Sequence, residues 1–260
     1  MIGGGVAARL QQLARIAPTL GAGDLILVGL PTFVSSKFSG DVVMFDSSTP
    51  LLQHGNSKLG RAIHVWSIPA VDTCPGSTAV CRKLCYATRH RFRFDSVRRR
   101  LAWNRQQCDR PDFVERMTAE IRSSGVLVLR IHVAGDFYDA EYVRKWSAIV
   151  KYSPRVRFYA YSRSWRIASI ASALEELAAS RAVRLWYSID AETGVPSHVP
   201  PAVRLAYLQA SPAAPPSAAN LVFRPHALRT LPESPLVCDH ETVSGRRLGV
   251  TCGSCGRCFR

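Results

Sequence analysis

Seven of the eight cysteines fall into two groups of unequal size. Cys74, Cys81 and Cys85 sit in TCPGSTAVCRKLCYA with C-x6-C-x3-C spacing. Cys238, Cys252, Cys255 and Cys258 close the chain in VCDHETVSGRRLGVTCGSCGRCFR with C-x13-C-x2-C-x2-C spacing. Four thiolates complete the coordination of a zinc ion or an iron–sulfur cluster, whereas three leave one position open for chemistry. The split predicts a reactive metal site at the first group and a structural or electron-relaying site at the second. Ligand type alone leaves both iron and zinc open at each. Disulfides are the competing use of so many cysteines. They belong mainly to small secreted domains without a core, and the terminal spacing is too tight for ordinary bridges. Cys108 stands apart and reads as a buried, idle thiol.

Charge is the second chemical signal. The net charge is +15, and it concentrates in RKLCYATRHRFRFDSVRRRLAWNR, residues 82–105, whose only acid is Asp95. Tyr86, Phe92, Phe94 and Trp103 are interleaved with the basic residues. Cations that release counterions from phosphates, beside aromatics that stack on bases, suit a nucleic acid or nucleotide partner. Arg91, Arg93, Arg98, Arg99 and, further on, Arg163 are the candidate contacts. A solvated basic helix in an arginine-rich proteome is the plain alternative.

These groups need elements to position them. With 260 residues, 47% apolar, and mean hydropathy near zero, the chain is long enough for one substantial core. It has no run of eighteen apolar residues, so a membrane span and a membrane partner are not expected. The start, MIGGGVAARLQQLARIAPTLGAG, lacks a continuous apolar stretch and reads as a short amphipathic helix, which points to the cytoplasm. DLILVGLPTF and DVVMFD read as strands of an N-terminal extension, residues 1–60, that ends in the turn GNSKLG. The segment AIHVWSIPA is the next strand and runs into the first cysteine loop. Residues 86–107 and PDFVERMTAEIRSS read as helices, the latter with Phe113, Met117 and Ile121 at a four-residue period. Then VLVLRIHVAG, RVRFYAYS, RAVRLWYSID and NLVFRP read as strands, with DAEYVRKWSAIVKYS, SIASALEELAAS and PPAVRLAYLQA as helices. Apolar strands alternating with amphipathic helices predict an α/β fold with parallel pairing. About five such strands suit a partial (β/α) TIM-like barrel over residues 61–225, with a Cys-rich metal-binding tail over 226–260.

In parallel α/β folds, functional groups gather where strands end. The first barrel strand ends at the three cysteines. The second ends at His132, Gly135 and Asp136, the third at Ser162 and Arg163, and the fourth at Ser188 and Asp190. Asp136 and His132 are the candidate proton-handling groups. Asp136, a carboxylate after a tight glycine turn, is the stronger candidate, with an N-cap as its plain alternative, whereas His132 reads equally as a satisfied core histidine.

A three-cysteine loop after the first strand, ending in Cys-Tyr-Ala, resembles the radical S-adenosylmethionine (SAM) superfamily. That resemblance implies a [4Fe–4S] cluster on Cys74, Cys81 and Cys85 with SAM at its open iron. It implies that Gly135 and Asp136 hold the methionyl part, with Ser162, Ser188 and Asp190 lining the rest of the SAM site. It also implies a reductant such as a flavodoxin or ferredoxin. An auxiliary cluster on the tail cysteines would make two. The superfamily spacing is C-x3-C-x2-C, from which this loop departs. GNSKLG, SIPAVDTCPG, CRKLCYA, RIHVAGDFYD, YAYSRSW and YSIDAETGVP, in that order, also resemble the gene product 88 family of phages and other mobile elements. Together these imply a radical-SAM-like phage protein that modifies a nucleobase or nucleic acid. A non-enzymatic iron–sulfur or zinc nucleic-acid-binding protein is the alternative, and oligomeric state is left open.

Overall fold

The computed structural model describes residues 45–260. The helix expected at the start of the chain and the strand DLILVGLPTF lie outside the described residues, as does most of DVVMFD. Among the described residues, seven strands form one sheet in chain order: β1 (Gln53–His54), β2 (Ile63–Trp66), β3 (Val128–Ile131), β4 (Arg157–Ser162), β5 (Val183–Ile189), β6 (Arg204–Leu208) and β7 (Leu221–Phe223). The β1–β2 pair is antiparallel, and every later pair is parallel. The sheet is open, with β1 and β7 as its edges, and it carries six parallel strands rather than about five.

Parallel strands need crossovers, and the early ones are helical. Between β2 and β3 run α1 (Ala79–Leu84), α2 (Asp95–Cys108) and α3 (Phe113–Ser123). Between β3 and β4 runs α4 (Ala140–Tyr152), whose N-cap Asp139 accepts from the Tyr142 N–H at 2.7 Å, and between β4 and β5 runs α5 (Ala168–Ala178). Phe113, Met117 and Ile121 are buried, as their spacing predicts. Residues 86–93, expected as helix, are instead two short 3-10 turns leading into α2.

The helix expected over PPAVRLAYLQA is absent, and β6 occupies Arg204–Leu208 in its place. Alanine and leucine favour a helix locally, but this segment lies between β5 and β7 and satisfies its backbone in two ladders. The connections from β5 to β6 and from β6 to β7 are consequently loops.

Side chains alternate between two cores. On the helix-covered face, Leu129, Ile131, Phe158, Ala160, Leu185 and Ile189 pack with Trp146 and Leu174. On the opposite face, Val65, Tyr159, Trp186, Ala206 and Leu221 pack with Cys238 and Cys258. The C-terminal tail therefore supplies the second cover, which is why these strands read as continuous apolar runs.

The tail spans the sheet from edge to edge. Next to β7, the Val222 N–H donates to the Leu236 carbonyl at 2.7 Å and the Cys238 N–H to the Val222 carbonyl at 2.9 Å. At the other edge, the Cys252 and Gly253 N–H groups donate to the carbonyls of Lys58 and Leu59 at 2.8 and 2.9 Å. Two short helices, α6 (Val243–Arg247) and α7 (Cys252–Cys255), lie along it. The described residues form one compact unit, with the GNSKLG turn and the tail both built onto the sheet.

Candidate functional site

The first cysteine loop leaves the C-terminal end of β2, and the chain fixes it at several points. Thr78 caps α1 by accepting from the Cys81 N–H at 3.0 Å, and its hydroxyl donates to Asp190 Oδ2 at 2.6 Å. Glu192 accepts from the next two free N–H groups, Ala79 at 2.9 Å and Val80 at 3.1 Å. Arg166 Nη1 donates to the Gly76 carbonyl at 3.0 Å. Gly76 has no room for a Cβ, which would collide with the Arg163 carbonyl.

Asp190, just beyond β5, is the hub of this support. Its Oδ2 also accepts from Arg163 Nη1 at 2.6 Å, and its Oδ1 accepts from the Glu192 and Thr193 N–H groups at 2.9 and 3.0 Å. Four donors fill its acceptor positions. Burial alone would raise its carboxyl pKa, but the Thr78 hydroxyl and the Arg163 charge outweigh burial and hold it below the usual carboxylate range.

Asp136 follows a turn that only glycine accommodates. Gly135 has φ +82°, and a Cβ there would run into Ile68 and Thr73. The Asp136 carboxylate is buried, accepting from the Phe137 and Arg163 N–H groups at 2.7 Å each. Burial raises it to about 6 against the pull of those bonds. Burial likewise pushes the Cys74 thiol up to about 12, with the Asp136 charge adding to the rise and Cys81 and Cys85 contributing further. Cys81 is raised by burial in spite of the Arg163 charge beside it. Three thiols and one carboxylate thus share an electrostatic neighbourhood at the C-terminal rim of the sheet.

The remaining expected site residues are placed differently. His132 sits just past β3 at φ +65°, buried, with Nε2 2.9 Å from the Tyr142 hydroxyl and Phe137 against its ring. Burial, reinforced by Arg130, depresses its pKa to about 3, so it is neutral. Ser162 is fully buried and accepts from the Ser164 N–H at 3.0 Å. The Ser188 carbonyl accepts from Trp165 Nε1 at 3.0 Å. Arg163 does not join the basic surface: it is buried and paired with Asp190, so its charge braces the cysteine loop. Arg91, Arg93, Arg98 and Arg99 are exposed, as their sequence context predicts. A cleft of about 850 Å³ runs between the cysteine loop, at Pro69 and Ala70, and Phe92, Arg93, Arg98 and Arg99. Tyr86, next to Cys85, donates its hydroxyl to the Val133 carbonyl.

The four tail cysteines line a second, small cavity of about 10 Å³ on the inner face. Arg257 lines it, and Lys58, Arg130 and Glu241 bring charge to its thiols. Lys58 lies before β2, away from the strand ends where function was sought. Burial would lower its pKa, but Glu241, at 3.1 Å, and Cys238 raise it. Glu192 and Thr78 were missed, although a carboxylate two residues beyond Asp190 was a readable signal.

All eight cysteines are free thiols, Cys108 being buried with its Sγ 3.3 Å from the Asn104 carbonyl. Among the described residues, no three Cys, His, Asp or Glu side chains converge closely enough to hold a metal ion as they are placed. No helix among them is long and apolar enough to cross a membrane.

The gene product 88 family model matches residues 49–260. The Gene 88 protein of Mycobacterium phage L5 is 29% identical over 126 residues, covering 42% of this chain and 51% of the relative. That of Mycobacterium phage D29 is 29% identical over 122 residues, covering 42% and 50%. The chain spans about half the length of these curated relatives. No solved structure matches it. The family match takes in both cysteine groups, the Gly135-Asp136 turn and the whole sheet, and the chain belongs to the gene product 88 family.

Proposed function

We propose that this chain is a radical-SAM-like iron–sulfur protein of a phage or mobile element, acting on a nucleobase or nucleic acid in the cytoplasm. In this reading the open parallel sheet is a partial (β/α) barrel. The observation that carries the proposal is the shared neighbourhood of Cys74, Cys81, Cys85 and Asp136 at the C-terminal rim, where parallel α/β folds place their chemistry.

The donor set fits a cluster in kind: three soft thiols on one loop with no fourth cysteine. Burial raises the Cys74 and Cys81 thiols, and a bound cation reverses that local pKa logic. A reduced cluster, when bound, supplies the electron that cleaves SAM and so starts hydrogen abstraction from the substrate. The chain's own part is to hold and orient. Cys74, Cys81 and Cys85 are the ligands. Gly135 allows close backbone approach, and Asp136, whose carboxylate is held by the Phe137 and Arg163 N–H groups, is the anionic partner for the methionyl amine. Asp190 has its acceptor positions filled, so we assign it to loop support, leaving Ser188 toward the ribose. Arg93, Arg98 and Arg99 line the neighbouring cleft, where a phosphate backbone would lie.

Anaerobic reconstitution followed by iron and sulfide analysis tests this reading. About four irons and four sulfides, lost together in C74S, are expected. SAM should also alter the electron paramagnetic resonance signal of the reduced protein. Retention of zinc alone, or a signal indifferent to SAM, overturns the proposal. The saturation of Asp190 favours a second reading, a non-enzymatic iron–sulfur or zinc protein that binds nucleic acid through the exposed arginines. Salt-dependent oligonucleotide binding that is unchanged in C74S, together with that indifference to SAM, would select it.

A further inference from the structure

The sheet is concave on its tail-covered face. In a flat sheet β4 and β7 would stand about 14 Å apart. Here the ring of Tyr161, on β4, meets that of Phe223, on β7, with centres 5.4 Å apart. Lys58 Nζ stands 5.4 Å from the centre of the Phe223 ring, and the Arg130 guanidinium 5.4 Å from that of Tyr161. Lys58, Phe223, Tyr161 and Arg130 thus form a row across the hollow, each of them half-buried and so within reach of solvent.

This row is rich in donors and poor in acceptors. Arg130 uses only Nε, which donates to the His132 carbonyl at 3.2 Å. Among the described residues its two Nη groups make no hydrogen bond, and no carboxylate pairs with it. Tyr159 stands opposite Arg130 in the β3–β4 register, its ring centre 5.8 Å from the guanidinium. The hydroxyl oxygens of Tyr159 and Tyr161 are both buried without a partner among the described residues. Arg130 lies near the first and the Cys258 sulfur near the second, neither in hydrogen-bonding geometry. At the other end of the row, Glu241 is shared between Lys58 at 3.1 Å and Arg229 at 3.8 Å, which leaves positive charge in excess.

Enclosing a cation and two hydroxyls without acceptors is unfavourable, and an anion that accepts from all of them removes the penalty. We propose that Arg130, Tyr159, Tyr161 and Lys58 form a binding site for a phosphate group, free or carried by a nucleotide, on the concave face of the sheet. The two Nη groups of a guanidinium match a pair of oxygens on one anion. A carboxylate offers two oxygens and a single charge. A phosphate monoester offers three oxygens and nearly two charges, which better matches two cations and two hydroxyls. The faces of Tyr161 and Phe223 beside the site could stack a base.

The site adjoins the rim that carries the first cysteine loop. Tyr86, directly after Cys85, donates its hydroxyl to the Val133 carbonyl, one residue past the carbonyl that anchors Arg130. The proposal goes beyond the cluster reading and does not depend on it, since no residue of this site is a cluster ligand.

The test uses the full chain, purified without reconstitution, and inorganic phosphate as the probe. Thermal melts and tryptophan fluorescence read binding, because Trp186 stacks on Tyr161 with ring centres 5.8 Å apart. Phosphate should raise the melting temperature, and acetate at equal ionic strength should not. Arg130→Met should abolish that shift yet melt no lower than the native chain without ligand, because it removes a partly buried charge that has no partner. Tyr161→Phe keeps the ring and its packing, should weaken phosphate roughly tenfold, and covers the case in which Arg130→Met does not fold. The triple variant Arg93→Ala, Arg98→Ala, Arg99→Ala should bind phosphate as the native chain does, which separates this site from the exposed cleft. A nucleoside 5′-monophosphate that binds more tightly than phosphate would make a nucleotide the source, and equal binding would make it phosphate itself. No response to either at millimolar concentration, an equal response to acetate, or native affinity in Arg130→Met or Tyr161→Phe overturns the proposal. Phosphate binding unchanged in Cys74→Ser would uphold this site even if the cluster reading fails, and a cluster in a protein blind to phosphate would sink this site alone.

Discussion

Asp190→Ala is the sharpest test of how the first cysteine loop is held. The Asp190 side chain is fully buried and that of Arg163 is 8% exposed, so their 2.6 Å contact is an interior ion pair. Removing the carboxylate leaves a guanidinium buried without a counter-charge, which costs about 3–5 kcal/mol. The Thr78 hydroxyl and the Glu192 and Thr193 N–H groups lose their acceptor as well. Against a total stability of about 5–15 kcal/mol, this is a large fraction. It corresponds to a fall in Tm of roughly 6–20 °C for a chain of this size. Urea unfolding followed by tryptophan fluorescence measures it directly. The double variant Arg163→Met, Asp190→Ala removes the stranded charge and should recover much of the loss. Asp190→Asn, which keeps an acceptor in place, should fall between. A cost below about 1 kcal/mol for Asp190→Ala, or no recovery in the double variant, would refute the idea that this pair braces the loop.

His132 makes the fold acid-sensitive. Its folded pKa of about 3 lies below the unfolded value of 6.5, so the unfolded chain takes up the proton first and stability falls as pH drops below 6.5. Between pH 7 and pH 5 the loss is about 2 kcal/mol. Asn tolerates the positive φ at this position, so His132→Asn should lose that pH dependence while staying folded, and equal slopes in urea titrations of the two proteins would contradict it. Gly135→Ala should cost about 2–4 kcal/mol, because left-handed strain adds to overlap with Ile68 and Thr73. Gly194→Ala has φ +62° and open space, so it should cost only about 1–2 kcal/mol; thermal melts showing equal losses would remove the close-approach explanation for Gly135.

What the sequence made legible followed from local periodicity and from strand ends. The runs around Val128–Ile131, Arg157–Ser162 and Val183–Ile189 are strands, and the amphipathic segments between them are helices. The cysteine loop stands where a parallel strand ends. Other features depended on partners distant in the chain. Arg204–Leu208 reads as a helix by propensity, and only β5 and β7 on either side make it a strand. Arg163 looked like a surface cation because its partner, Asp190, lies 27 residues away. The tail looked like an appendage because nothing local shows that Cys238 and Cys252 bond to opposite edges of one sheet.

The carboxylates beside the first cysteine group bear on the redox role proposed for it. Around Cys74 and Cys81 lie two carboxylates, Asp136 and Asp190, with the single cation Arg163 already committed to Asp190. Adding an electron beside fixed negative charge is unfavourable, so a cluster held there would have its reduction potential lowered. A low potential is what a one-electron donor to a sulfonium requires. On this argument Asp136→Asn, with its cluster intact, should raise the midpoint potential in a redox titration followed by electron paramagnetic resonance. A potential that stays put or falls would mean that Asp136 braces the backbone of Arg163 without acting on the electron.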